Sequence, residues 1–270
     1  MYVSVLNEAG APVPDLGPSD FIVREDNVAR EVLRVGPATE PLTLAILVDN
    51  SAAATNYVRD MRPALEAFVT TMTGPSEIRG KNEIAIIALA DRPTILTDYT
   101  IEVPALMTGI NRIFAQRNAG TLLLEAIIDT SKGFKKREAA RPVILAITTE
   151  GPELSGRFYN FVLTPLYDCG AAFHAIIVGP PSGSITDSAN QRGRVLDEGT
   201  RNTGGRRDNI LTSMALKGKL AEVANELLHQ YRITYAHPES LIPPESVTVT
   251  AAKPGMVARG TLIKERQAKP

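Results

Sequence analysis

A single cysteine, Cys169, occurs in 270 residues. That count excludes an internal disulfide and any zinc cluster built from cysteines. Cys169 lies in apolar surroundings just ahead of the run Phe173–Val178, so a buried, inert thiol is expected there rather than a nucleophile. No apolar run approaches the roughly 18 residues that a helix needs to cross a bilayer. No signal-like stretch opens the chain, since Met1 leads directly into Tyr2-Val3-Ser4-Val5-Leu6, which alternates as a strand does. An excess of one charge is missing too. Lys and Arg number 29 and Asp and Glu 30, for a net charge of −1. No overall field therefore draws the molecule to nucleic acid or to an anionic membrane. The basic runs Lys135-Lys136-Arg137 and Arg206-Arg207 read as solvated helix ends or loops. Several enzyme signatures are also absent. There is no Gly-x-Ser-x-Gly elbow and no phosphate loop ending in Gly-Lys-Ser or Gly-Lys-Thr, and the glycines between Gly199 and Gly205 lack the Gly-x-Gly-x-x-Gly spacing. His174, His229 and His237 follow no metal-ligand spacing, and His174, inside an apolar run, reads as a packed core residue.

What is present is an ordinary globular composition, 44% hydrophobic and 22% charged, long enough for one large domain or one domain with an appendage. Strand-like runs at Tyr2–Leu6, Phe21–Arg24 and Glu31–Val35 open the chain, separated by turn-forming stretches, and Gly36-Pro37 reads as a linker. From Leu42 the pattern changes to alternating strands and helices. Leu44–Val48, Glu83–Leu89, Val143–Thr148 and Phe173–Val178 are apolar runs of strand length, and Thr94–Thr97 reads as an antiparallel hairpin partner of Glu83–Leu89. Helical spacing marks Val58–Met72, Val103–Phe114, Leu122–Ser131, Asn160–Asp168 and Ala215–Leu228. Gly179 to about Gly193 reads as a polar loop, and Tyr231–Tyr235 as the last strand of the series. This order predicts an α/β fold, a doubly wound, mostly parallel sheet with helices on both faces. Val247–Thr250 and Val257–Ile263 are tail strands. The resulting domain reading is residues 1–37 as a β flank, 38–236 as the α/β domain, and 237–270 as a β tail pairing with the flank.

The most informative stretch is Leu44-Ala45-Ile46-Leu47-Val48-Asp49-Asn50-Ser51. A buried parallel strand there puts Asp49 and Ser51 in the loop at its carboxyl end, the edge where open α/β sheets bind ligands. Carboxylate and hydroxyl oxygens suit Mg²⁺ or Mn²⁺. Either side chain could instead cap the helix that follows, and Thr121 has the same alternative at the start of Leu122–Ser131. A third reading makes Asp49 the nucleophile of a haloacid dehalogenase-like hydrolase, but Ser51 stands where that chemistry places its second acid.

In order, these segments resemble a von Willebrand factor A (VWA) domain. Asp49-Asn50-Ser51-Ala52-Ala53 matches the Asp-x-Ser-x-Ser loop of that family, Gly120-Thr121 its Gly-Thr, and Thr149-Glu150-Gly151 its Thr-Asp-Gly. Ala175–Gly179 resembles its late strand and Thr203-Gly204-Gly205 its Thr-Gly-Gly. The flanks, with Val3-Ser4-Val5, Asp20-Phe21, Glu25-Asp26 and Gln230–Tyr235, are similar to the bacterial VWFA-related family. The resemblance implies a Rossmann-like VWA fold and a non-enzymatic protein-binding domain for adhesion or assembly, secreted or periplasmic. It also implies a metal-ion-dependent adhesion site in which two serines and a threonine bind the ion directly, two aspartates bind mostly through water, and an acidic side chain of a protein partner completes the shell. Carried over, Asp49, Ser51 and Thr121 are retained, Glu150 replaces the second aspartate, and Ala53 replaces the second serine. A degenerate site is thus expected, holding Mg²⁺ or Mn²⁺ weakly or not at all, with partner contacts from the loops around Asn50, Gly120 and Gly151.

Overall fold

The computed structural model describes residues 1–76, 79–181, 183, 186–237, 244 and 246–261. Four strands come first, β1 (Tyr2–Asn7), β2 (Phe21–Glu25), β3 (Val28–Arg30) and β4 (Val32–Pro37). There follow β5 (Thr43–Val48), α1 (Val58–Met72), β6 (Glu83–Ala88), β7 (Thr94–Thr100), α2 (Val103–Asn111) and α3 (Leu123–Arg137). Next are β8 (Pro142–Thr149), α4 (Tyr159–Cys169), β9 (Ala172–Val178), α5 (Asp187–Asn202), β10 (Arg207–Ile210) and α6 (Leu216–Leu228). The last elements are β11 (Tyr231–Tyr235), β12 (Val247–Ala251) and β13 (Met256–Thr261). Among the described residues two compact units separate, residues 40–221 and residues 1–39 with 222–261.

The larger unit is built on a six-stranded sheet in the order β10-β9-β8-β5-β6-β7. All its strands run parallel except β7, the antiparallel edge that the hairpin reading expected. Every residue of β5, β8 and β9 is buried, which is why these strands read as unbroken apolar runs and why they sit in the interior of the sheet. One apolar layer joins Ala45, Leu47, Ile144, Phe173 and Ile177 of the sheet to Leu124 and Ile127 of α3, Val162 and Leu166 of α4, and Val195 of α5. α1 turns Met61, Leu65, Phe68, Val69 and Met72 inward at helical spacing. The side chain of Asn82 joins the end of α1 to the start of β5, donating to Met72 O at 2.8 Å and accepting from Leu42 N at 2.8 Å. Val48 stands level with Ala88 on one side and Ile147 on the other, so three loops leave the sheet at one level.

Three sequence expectations are corrected here. The stretch expected as loop up to about Gly193 contains most of the first two turns of α5, whose N-cap Thr186 accepts from Ala189 N at 3.2 Å. That helix buries Arg192, Val195, Leu196, Gly199 and Thr200, a face too poor in large apolar residues to show as a hydrophobic stripe. Gly199 is there because Phe173 and Leu163 lie 3.0 and 3.3 Å from where its Cβ would be. β10 is also new, a short strand paired with β9. The strand Tyr231–Tyr235, expected to close the parallel series, instead pairs antiparallel with β1 and β4 in the smaller unit. Gly36-Pro37, read as a linker, ends β4; Pro37 lies opposite Tyr231 on an edge strand, where a missing N–H is tolerated.

The smaller unit contains a sheet in the order β13-β1-β11-β4 and a second in the order β12-β2-β3. The tail strands pair with the N-terminal ones, β13 with β1 and β12 with β2. β2 and β3 form a hairpin with Asp26 and Asn27 at φ 47° and 67°, the two-residue turn that a twisted pair of strands favours. Both sheets contribute to one apolar cluster of Met1, Val3, Val5, Phe21, Val23, Tyr231, Ile233 and Val249. Cys169, at the end of α4, is partly covered, and burial pushes its thiol up, away from the thiolate form a nucleophile needs.

Tyr231 gives a direct test of the smaller unit. Its hydroxyl donates to Val13 O at 2.7 Å and accepts from Leu16 N at 3.3 Å, and its ring meets Phe21 edge-on with centroids 5.9 Å apart. Tyr231→Phe keeps the ring contact and strips both hydrogen bonds, so urea unfolding should report a loss of about 1–3 kcal/mol. A loss under about 0.5 kcal/mol would mean that water replaces both bonds freely.

Candidate functional site

Asp49 follows the last residue of β5 and is fully buried. Its Oδ1 accepts from Ser51 N at 2.9 Å, and its Oδ2 accepts from Thr149 N at 3.0 Å and from Thr149 Oγ1 at 2.6 Å. The carboxylate thus ties its own loop to the end of β8. A carboxylate has about four lone-pair positions, so roughly one remains for a further contact. The next residue, Asn50, braces the loop sideways. Its Oδ1 accepts from Leu89 N at 3.1 Å and Ala90 N at 2.8 Å, and its Nδ2 donates to Phe114 O at 3.1 Å. Asn50, in one of the loops expected to meet a partner, uses its side chain to brace the scaffold.

Ser51 and Thr121 are fully buried, and neither Ser51 Oγ nor Thr121 Oγ1 has a hydrogen-bond partner. The capping alternative therefore fails for both hydroxyls. Ser51 stands at the N-cap of the short turn Ala52–Ala54 without a side-chain bond. At the start of α3 the free N–H groups are met from another loop. Ser155 Oγ accepts from Glu125 N at 3.2 Å, and Ser155 is itself held by Glu153 Oε1, which accepts from its N–H at 3.1 Å. Thr121 is held by its backbone instead, donating from N to Pro152 O at 2.9 Å and accepting at O from Leu154 N at 2.9 Å. The backbone fixes the hydroxyl while leaving it free, and a buried hydroxyl without a partner costs about 1–3 kcal/mol.

Gly151 packs over this floor. A Cβ there would lie 2.6 Å from Ala53 Cβ, 3.2 Å from Thr149 Oγ1 and 3.7 Å from Ser51 Oγ. Gly151 thereby joins Ser51, Ala53 and Thr149, while Pro152, which follows it, holds Thr121. Gly120 sits beside the same turn, its missing Cβ 3.0 Å from Pro152 O. Glu150 leans to one side, with Oε2 at 3.8 Å from Arg192 Nη1. Arg192 is 4% exposed and donates from Nη2 to Thr149 O and, at 3.3 Å, to Thr148 Oγ1. Burial pushes the Arg192 guanidinium down, opposed by Glu150, Glu153 and Asp49. Glu153 accepts from both the N–H and the hydroxyl of Ser155, yet burial raises its carboxyl above its usual value.

Arg192 and Glu153 are the members of this group that sequence reasoning missed, and Thr149 was part of a matched motif without being given a role. The signal for Arg192 is its spacing with Val195, Leu196 and Gly199, which puts it on the inward face of α5.

This donor set fits a hard divalent cation in reduced form. The orphaned hydroxyls of Ser51 and Thr121 would be the direct oxygen donors, and Asp49, with one position open, suits a contact through water. Ala53 offers a methyl where the resemblance would put a third hydroxyl, and Glu150 is turned toward a guanidinium. Among the described residues no group of three or more His, Cys, Asp or Glu side chains forms a conventional metal cluster. The hydrolase reading gains no support, because Asp49 is buried and engaged by three donors.

No family profile and no curated protein matches the sequence. Solved structures do match the fold. The von Willebrand factor type A protein from Catenulispora acidiphila superposes with a TM-score of 0.53 at 11% identity, over 84% of this chain and 50% of that one. The chain thus spans half of that protein's length. The SpRpn10 VWA domain gives a TM-score of 0.51 at 14% identity, over 67% of this chain and 94% of that one. Proximal thread matrix protein 1 from the mussel byssus gives 0.52 at 15% identity, over 74% of this chain and 49% of that one. The fold is that of VWA domains.

Glu153 supplies a pH test. An acid whose folded pKa is raised costs nothing below its unfolded value of 4.5 and a growing penalty as pH rises through the raised value. Glu153→Gln removes that penalty while keeping an acceptor for Ser155. Its unfolding free energy relative to the parent should therefore improve as pH rises above 4.5 and level off once pH has passed the raised value. A difference that is flat with pH would show that Glu153 is not desolvated as described.

Proposed function

We propose that this VWA fold is a non-enzymatic, protein-binding domain whose carboxyl-edge loops engage a partner with weak or no dependence on a divalent ion. The observation that carries the reading is the pair of buried, unpartnered hydroxyls, Ser51 Oγ and Thr121 Oγ1, on loops at the sheet edge where Asp49 lies. Polar groups are rarely left buried without a partner, and two at one sheet edge mark a place prepared for a ligand. The resemblance of the flanks to the bacterial VWFA-related family, and of the loops to its adhesion site, supports a protein partner presenting an acidic side chain. Ser51 and Thr121 would hold the ion directly, Asp49 through water, with Glu150 as the replaced acid at its margin. The ion would supply a Lewis-acidic contact for the partner carboxylate, while this chain's residues fix the loops around it. With one hydroxyl missing at Ala53, more of the shell must be water, and Mg²⁺, which demands near-ideal octahedral geometry, is held less firmly. Among the described residues no helix is long and apolar enough to cross a membrane, which fits a partner met through these loops.

Calorimetric titration with Mg²⁺ and Mn²⁺ tests this reading. Ala53→Ser restores a hydroxyl beside Gly151 and should tighten binding by about tenfold, the effect of ~1.4 kcal/mol from one added oxygen contact to a charged group. Micromolar Mg²⁺ binding by the parent that Ala53→Ser leaves unchanged would contradict the degenerate-site reading. Sustained hydrolysis of a phosphate or acyl ester that disappears in Asp49→Ala would contradict the non-enzymatic one.

A further inference from the structure

We propose that the buried guanidinium of Arg192 is the resident cation of this loop edge, and that it limits divalent-ion affinity independently of the serine missing at position 53. The inference rests on the ligand-site reading above and names what regulates that site. Its basis is geometric. Arg192 is 4% exposed, yet its Nη2 donates to the carbonyl of Thr149 and to Thr148 Oγ1, and its Nη1 lies 3.8 Å from Glu150 Oε2. Thr149 is the residue whose N–H and hydroxyl both bind Asp49 Oδ2, at 3.0 and 2.6 Å. The guanidinium is thus one residue's width from the Asp49 carboxylate and paired with Glu150, the two acids expected to face an ion.

Charge balance follows from these positions. The acids acting on Arg192 are Glu150, Glu153 and Asp49, opposed by Arg207 at a distance. A guanidinium stays charged in proteins, so its positive charge is present at this edge at every physiological pH. It is planar, with several donors, and can hold a carbonyl, a hydroxyl and a carboxylate at once as a metal shell would. A divalent ion held at the Asp49–Ser51 loop would meet that charge in a partly desolvated setting, where repulsion is stronger than in water. It would also compete with Arg192 for Glu150. The loop edge can therefore keep its shape without an ion, and ion binding is opposed by a fixed like charge.

The test is Mn²⁺ titration, followed by calorimetry and by the thermal midpoint, on the parent, Arg192→Lys, Arg192→Met, Arg192→Gln and Ala53→Ser. Removing the charge in Arg192→Met or Arg192→Gln should tighten Mn²⁺ binding by about tenfold or more. It should also make the thermal midpoint rise with added Mn²⁺, as ligand linkage requires. Arg192→Lys, which keeps the charge, should bind as weakly as the parent. Folding is checked by near-ultraviolet circular dichroism. If both neutral variants fail to fold alone, recovery of the fold in millimolar Mn²⁺ supports the proposal, and no recovery overturns it. Tighter binding in Ala53→Ser with no change in folded Arg192→Met and Arg192→Gln overturns the role of Arg192 and leaves the ligand site standing. Absence of Mn²⁺ binding in every variant, Ala53→Ser included, overturns both.

Discussion

The hydrogen bonds between Asp49 and Thr149 are the constraint on which the loop edge depends. Two adjacent parallel strands, β5 and β8, end together, and a parallel ladder by itself says nothing about how the chains leave it. Asp49 settles that by bonding to the backbone and hydroxyl of Thr149, while Asn50 next to it holds Leu89, Ala90 and Phe114. Two consecutive side chains thus bind the exits of β5, β6 and β8 and the segment after α2 into one floor. Ser51, Thr121 and Gly151 have fixed places because that floor is rigid. It also follows that Asp49 is a structural residue of this edge, so its replacement disturbs the loops themselves.

That role explains why these loops hold their arrangement without any metal ion. Ala53 gives no oxygen, and its methyl lies under Gly151, where a residue with any side chain would collide with it. The loops remain aligned because their alignment comes from Asp49, Asn50 and the backbone bonds of Thr121, none of which needs a metal. Arg192 then enters the same arrangement from α5, supplying positive charge where Asp49 and Glu150 would otherwise leave an uncompensated negative pair. The loop edge is organised by the fold first and tuned by charge second.

The sequence made the central sheet legible because a strand buried on both faces must be largely apolar, as β5, β8 and β9 are apart from Thr43, Thr148, Thr149 and His174. It made Asp49, Ser51 and Thr121 legible because they directly follow a strand or precede a helix. α5 was hidden for a physical reason: its inward face uses Gly199 to approach Phe173 closely and Arg192 to reach a carbonyl, and neither residue adds to an apolar stripe. Tyr231–Tyr235 was misplaced since a half-buried alternating strand fits either sheet by pattern alone, and pairing with β1 and β4 decides the matter. The roles of Thr149 and Glu153 were missed because they are made by partners about 100 and 30 residues away, Asp49 and, through Ser155, the first turn of α3. The freedom of the Ser51 and Thr121 hydroxyls could not be read from residue type, since a cap and a ligand use the same atom.

The most direct measurement is nuclear magnetic resonance of the isotope-labelled chain during addition of Mn²⁺, whose unpaired electrons broaden the amide signals of nearby residues. If the account is right, broadening begins at residues 49–53, 119–122 and 149–152 and reaches exposed acids elsewhere only at much higher ion concentration. Broadening that starts at scattered surface carboxylates and leaves the amides of Ser51 and Thr121 sharp would contradict it.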